Sequence, residues 1–169
     1  KDGNIIDRRA GRIDTDESKR VCKKIREKVS LAPDAEFIIE AVKEHRAALL
    51  IRGDNLGGEL ADTDPQKLGV PPLDPQALNK ESQKTAQLTK RFLDQAFKVL
   101  SDEQKANAIL FRGFAKHRPY KSMLERYKLK TLAIANYPMY RGVAFLLNMD
   151  LHPVTADIKS EFEAVAQNY

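Results

Sequence analysis

Phe37-Ile38-Ile39-Glu40-Ala41-Val42, Lys43-Glu44-His45 and Arg46-Ala47-Ala48-Leu49-Leu50-Ile51-Arg52 follow one another directly, and this stretch decides the fold class. In the first run Phe37, Ile39 and Ala41 alternate with Ile38, Glu40 and Val42, a period of two that gives a strand apolar on both faces. The polar triplet is a turn and the last run returns as a second strand, so the two form a hairpin. The returning run stops at Arg52-Gly53. Two other apolar runs stop in the same way: Ala108-Ile109-Leu110-Phe111 at Arg112-Gly113, and Asn4-Ile5-Ile6 at Asp7-Arg8-Arg9-Ala10-Gly11-Arg12. Short apolar runs are buried strands. An arginine at the end of each would stand where sheet meets solvent, its fork free for a carboxylate or phosphate. A neighbouring glycine supplies a tight turn and lets a ligand approach the backbone. Three such ends in one domain predict a built anion site.

Outward from the hairpin, helices alternate with strands. Residues 4–9 form a strand after an Asp2-Gly3 turn, and Asp14-Thr15-Asp16-Glu17 caps a helix reaching about Ser30, with Val21, Cys22, Ile25 and Val29 on one face. Pro33-Asp34 ends it. Residues 53–79 carry four prolines and three glycines beyond Gly53, a length that marks a functional loop. Residues 80–100 are the clearest helix, its stripe running through Ala86, Leu88, Phe92, Leu93, Ala96, Phe97, Val99 and Leu100. Beyond it come a strand at 107–111, a basic segment at 116–119, a short helix at 122–127, a strand at 131–135, and helices at 137–148 and 157–167. Pro138 fits the first turn of its helix. The sum is a single α/β domain (α+β in the alternative) over 1–169, with one mixed or mostly antiparallel sheet flanked by helices.

Length and composition permit this. The chain has 169 residues, 42% apolar and 31% charged, enough for one domain with a real core. A net charge of +5 suits an anionic metabolite, weak nucleic-acid contact, or simply a solvated surface with a lysine excess. No run approaches the ~18 apolar residues of a membrane span, and no secretory signal is present. One cysteine, Cys22, precludes an internal disulfide and fits a reducing cytoplasm; on a helical apolar face it is a structural thiol. The chain starts with lysine rather than methionine, the mark of a piece of something longer.

Three cations in five residues, Arg8, Arg9 and Arg12, follow Asp7. On a strand Arg8 and Arg9 face opposite ways, and Gly11 bends the chain so that Arg12 rejoins one face. Asp62-Thr63-Asp64-Pro65 lies in the long loop. Without further ligands at metal spacing, its carboxylates serve to orient arginines and form turns. His45, His117 and His152 are scattered, His45 being a structural hydrogen-bonder. There is no nucleophile elbow and no Walker motif, so no complete catalytic apparatus.

Taken in order, five blocks resemble the archaeal-type, cofactor-independent phosphoglycerate mutases: Asp-Arg-Arg-Ala-Gly-Arg at 7–12, His-Arg-Ala-Ala-Leu-Leu-Ile-Arg-Gly at 45–53, Asp-Thr-Asp-Pro at 62–65, Ala-Asn-Ala-Ile-Leu-Phe-Arg-Gly at 106–113 and Tyr-Arg-Gly-Val-Ala at 140–144. The resemblance implies an alkaline-phosphatase-type enzyme with a second domain inserted in the catalytic one. The catalytic domain holds a serine nucleophile and two divalent metals of Mn, Mg or Zn type; the inserted domain grips phosphoglycerate while its phosphoryl group passes through a phosphoserine. This chain resembles mainly the inserted domain, so it binds no metal itself, is inactive alone, and has as partners phosphoglycerate and the catalytic domain of the same polypeptide. The resemblance places Asp7, Arg8, Arg9 and Arg12 at the substrate and gives Arg112 a grip on its carboxylate or phosphate. Arg52, Asp62 and Asp64 match family blocks. Arg141 departs from the lysine of many relatives: an arginine keeps its proton, so an electrostatic role fits it better than a base.

Glycolytic isomerase chemistry in the cytoplasm is thus the leading expectation. A phosphotransferase or phosphatase of the same superfamily, acting on another small phosphometabolite, is the second. A basic nucleic-acid-binding module is the third; Tyr120, Tyr127 and Tyr140 lie near cations but without the interleaving such a surface needs.

Overall fold

In the computed structural model, which describes residues 3–169, Asp14 opens helix α1 (Thr15–Lys28) by accepting the Glu17 N–H at 2.8 Å. Asp16 and Glu17 lie at its positive end, and Arg26 and Lys28 at its negative end, as the helix dipole favours. Its buried side chains, Ser18, Val21, Cys22 and Ile25, repeat at three- and four-residue steps and so form one stripe. That stripe packs on the hairpin of β1 (Glu36–Lys43) and β2 (Arg46–Arg52), antiparallel with Phe37 opposite Ile51 and Ile39 opposite Leu49. Helix α2 (Gln83–Val99) closes the core from a second stripe, Thr85, Leu88, Thr89, Phe92 and Ala96. Phe92 is wholly buried, its ring edge-on to Phe37 at 5.1 Å and tilted against Phe111 at 5.8 Å. Around it lie Ile25, Leu31, Ile39 and Leu100. Cys22 is buried here, and that burial pushes its thiol above the ordinary range, as befits a packing group.

The hairpin differs from its expected form in one respect. Only the face of Phe37, Ile39, Leu49 and Ile51 is covered, while Ile38 and Leu50, paired across the strands, stay 41% and 44% exposed. An isolated two-stranded sheet has two faces, and α1 and α2 supply cover for one. The mixed α/β class holds, but the strands fall into two separate pairs instead of one sheet. Residues 4–9 and 107–111 form no ladder, because neither finds a strand of matching length. Ile5 exchanges single bonds with Gly69 and Val70, and Phe111 bonds Thr63. The expected Asp2-Gly3 turn falls, at Asp2, outside the described residues.

The long loop is laced down rather than open. Leu60 bridges Ala77, Thr63 donates to the Phe111 carbonyl at 2.9 Å, and the Phe111 N–H returns a bond to the Thr63 hydroxyl at 2.7 Å. Gly58 is needed for this course: a Cβ there would lie 2.2 Å from the Lys116 nitrogen.

After Lys116 the chain forms a second compact unit, His117–Tyr169. Ser122 and Glu125 make a reciprocal capping box at the start of α3 (Met123–Tyr127). Two short parallel strands, β3 (Leu132–Ala133) and β4 (Asp150–Leu151), are joined through α4 (Pro138–Leu146), and α5 (Ile158–Asn168) follows, capped by Asp157. Ala144 and Ala164 are its buried apolar residues, while Phe145, Ile158 and Phe162 are more than 70% exposed. Among the described residues no helix is long and apolar enough to cross a membrane.

Two outcomes follow from this packing. Phe92→Ala removes the ring shared by Phe37 and Phe111 and should cost about 3–5 kcal/mol in denaturant unfolding. Glu103, gripped by Arg20 at 2.5 Å and Lys24 at 2.6 Å, is held down at about 2 by these donors. Because its folded value lies below the unfolded one, the stability it contributes is present above pH ~4.5 and is lost as pH falls through that value toward 2. Glu103→Gln should therefore unfold with a flatter pH dependence across that window.

Candidate substrate-binding site

Asp64 draws two distant segments together. Its carboxylate is 5% exposed and takes a two-pronged bond from Arg8, Nε at 2.8 Å and Nη2 at 2.5 Å. Arg112 approaches the same group, its Nε 4.0 Å from Asp64 and 3.5 Å from Asp62. A carboxylate taken this far from water must be paired. The Arg8 donors hold it below the ordinary range against the opposing effect of burial, aided by the Gln66 N–H at 2.9 Å and the charge of Arg112. The Gln66 bond is also the turn-forming contact expected of the Asp-Thr-Asp-Pro segment. Asp62 in turn accepts the Gly113 N–H at 2.9 Å, fixing the backbone beside Arg112. Gly113 sits at φ +71°, so the turn after the arginine calls for glycine.

The consequence for the two arginines differs. Arg8 has both donors of one edge engaged, and acts on Asp64. Arg112 is 56% exposed and tethered through Nε, leaving its two terminal nitrogens without a hydrogen bond among the described residues. Those nitrogens form the edge that binds carboxylates and phosphates in two-pronged fashion.

Residues 7–13 do not form the expected strand. Ala10, Gly11 and Arg12 all adopt left-handed backbone, φ +50°, +60° and +52°. Only the glycine does so without strain, and such strain is kept where the surroundings enforce it, commonly at functional sites. Here Asp7 enforces it. Its carboxylate accepts the N–H groups of Arg9 at 2.7 Å and Gly11 at 2.5 Å, which hold its carboxyl below the ordinary range. Gly11 thus bends the chain as expected, but Arg8 and Arg12 are separated by the turn. Arg9 and Arg12 are exposed, and among the described residues neither guanidinium makes a hydrogen bond or ion pair.

The structure divides the remaining candidates. His45 and the Arg9–Arg12 turn sense one another electrostatically, which puts that turn at the hairpin bend. Arg52 is at the other end of β2, roughly 20 Å along the strand from Arg46. It is exposed and, among the described residues, without a hydrogen bond or ion pair. His45, expected to be a structural hydrogen-bonder, instead has a buried Nδ1 with no hydrogen-bond partner among the described residues, the Glu44 carboxylate standing 4.0 Å away, and burial lowers its pKa. Arg141 belongs to the second unit, where its Nη1 donates to the carbonyls of Ala135 at 3.0 Å and His152 at 2.7 Å, past the ends of β3 and β4. Two placements were not legible in the sequence: the choice of Arg8 as the arginine held by Asp64, and the lie of the Lys105 stem beside Gly11. Among the described residues no group of three or more His, Cys, Asp or Glu is placed to hold a metal ion.

This arrangement can bind and orient an anion but offers no nucleophile of its own. Comparison with known proteins gives the family. The family model of the 2,3-bisphosphoglycerate-independent phosphoglycerate mutases matches residues 1–106. A probable 2,3-bisphosphoglycerate-independent phosphoglycerate mutase of Thermus thermophilus is 39% identical over 171 residues, covering 99% of this chain and 42% of that protein. One from Aquifex aeolicus is 39% identical over 151 residues, covering 87% and 37%. A cofactor-independent phosphoglycerate mutase of Thermoplasma acidophilum has a solved structure that superposes with a TM-score of 0.72 at 26% identity, over 99% of this chain and 49% of that one. The chain thus spans about two fifths of the length of the curated relatives it matches. The family model covers well over half of the chain, including the blocks at 7–12, 45–53 and 62–65, and the fold agrees: the chain belongs to the family of 2,3-bisphosphoglycerate-independent phosphoglycerate mutases.

Proposed function

We propose that this chain is the substrate-gripping part of a metal-dependent phosphoglycerate mutase that interconverts 3- and 2-phosphoglycerate without added bisphosphoglycerate. The observation that carries the reading is Arg112, tethered at Nε by Asp62 and Asp64 with its two-pronged edge free. Phosphoryl transfer needs little covalent help from its grip and much positioning and charge neutralisation. Asp64, with Arg8 as its counter-charge, is the anchor that holds Arg112 in place; Arg9 and Arg12, presented by the strained turn, add a second source of cations. Asp7 stabilises that turn. Arg141, in the second unit, contributes positive charge through a guanidinium fork and has no general-base role. Arg52 stands apart from these and takes a lesser part.

The serine that carries the phosphoryl group and the two divalent metals, of Mn, Mg or Zn type, belong to the remainder of the protein. The exposed apolar side chains of the second unit, Val143, Phe145, Ile158 and Phe162 among them, support docking against that remainder, because a surface so apolar is rarely left to water. Residues 1–169, with the 53–79 loop among them, are the inserted substrate domain, and the enzyme works in the cytoplasm.

Full-length protein supplied with a divalent metal should interconvert the two phosphoglycerates; an inert enzyme under those conditions overturns the assignment. A panel of phosphorylated metabolites separates it from a phosphatase or phosphotransferase of different substrate. Within the active enzyme, Arg112→Ala should lower kcat/KM by about 100-fold, near 3 kcal/mol of transition-state stabilisation. Asp64→Asn leaves Arg8 half-buried without its counter-charge and should cost about 1–3 kcal/mol in unfolding while also reducing kcat/KM.

A further inference from the structure

Lys105 stands at the head of the segment that ends in Arg112, and it lies against the turn that presents Arg12. A Cβ added to Gly11 would sit 3.3 Å from the Lys105 Cδ, so the lysine stem runs over the glycine. Arg12 and Lys105 line an open cleft of about 590 Å³ together with Glu17, Asp102 and Glu103.

The carboxylates of this cleft are already engaged. Glu17 pairs with Arg20 at 2.7 Å, Asp102 with Lys24 at 2.5 Å, and Glu103 with both of those cations. Asp14 caps α1. Among the described residues the Arg12 guanidinium and the Lys105 ammonium make no hydrogen bond or ion pair. Both cations border one cleft whose acids hydrogen-bond other cations, Glu17 alone also feeling the charge of Lys105, so the donors of Arg12 and Lys105 stay available to an anion. The pairing also has a geometric basis. Arg8 and Arg112 meet at Asp64, and further along the same two segments Gly11 meets Lys105.

We propose that Lys105 is a substrate-binding residue that, with Arg12, holds an oxyanion group of a phosphomonoester in this cleft. The inference rests on the mutase reading for the identity of the ligand, but not for the presence of the site. Arg12 supplies a planar fork and Lys105 a compact charge with three rotatable donors, a combination able to follow an oxyanion that shifts position.

The test is site-resolved amine acetylation of the full-length protein, read by mass spectrometry, with inorganic phosphate or 3-phosphoglycerate against chloride at equal ionic strength. Lys98, exposed on α2, is the internal control. Protection of Lys105 by at least about threefold, with Lys98 unchanged, is expected for a lysine whose charge is engaged by a bound anion. Equal labelling of Lys105 with and without both anions overturns the proposal. In the active enzyme Lys105→Met should raise KM about tenfold with little change in kcat, and Lys105→Arg should restore most of the loss. An unchanged KM in Lys105→Met also overturns it. Protection of Lys105 in a protein lacking mutase activity would retain this site and discard the mutase reading; mutase activity without protection would do the reverse.

Discussion

One nearly buried carboxylate organises the first unit. Asp64 cannot stay charged at 5% exposure without a counter-charge, and Arg8, 56 residues away in sequence, provides it through two bonds on one edge of its guanidinium. That pair ties the N-terminal segment to the long loop. The same loop binds Phe111 through Thr63, which is fully buried, and Phe111 leans on Phe92 at the centre of the core. The position of Arg112 is therefore set by the hydrophobic core on one side and by Asp62 and Asp64 on the other. An arginine fixed in this way would have less freedom to lose on binding an anion.

The Arg9–Arg12 turn uses a different device. Three successive left-handed residues are unfavourable for two of them, and Asp7 offsets this by accepting two backbone N–H groups inside the turn. The cations so displayed are unpaired, unlike those along α1, where Lys19, Arg20 and Lys24 all have carboxylate partners. The contrast is informative. Arg20 and Lys24 of α1 are held by acids, whereas among the described residues the Arg9 and Arg12 guanidiniums make no hydrogen bond or ion pair.

The second unit obeys the same physics with an opposite result. Its capping box, its Asp157 cap and its paired parallel strands satisfy the backbone locally. Its apolar side chains are not satisfied: parallel strands are ordinarily covered on both faces, yet here the residues buried from water are mostly small.

Much of this was legible in the sequence because it is local. The Glu44-His45 bend with strands on either side, the stripes of α1 and α2, Pro138 at the start of α4 and the Ser122 cap all follow from period, turn chemistry and capping, which act over a few residues. The family blocks carried the functional reading, and Asp62-Thr63-Asp64-Pro65 declared carboxylates meant for arginines and turns. What the sequence could not declare was which arginine each carboxylate takes. Arg8, Arg9, Arg12, Arg52 and Arg112 carry the same group. Only the tertiary structure makes Arg8 an anchor, leaves an edge of Arg112 free, and sets Arg52 at the far end of the hairpin from the Arg9–Arg12 turn. The strands expected at 4–9 and 107–111 failed for the same reason: a strand needs a partner of matching length, and that partner is chosen by the whole chain. Local pattern determined the elements and pointed to an anionic ligand; long-range pairing of buried charge decided which cations are held by acids and which stay exposed.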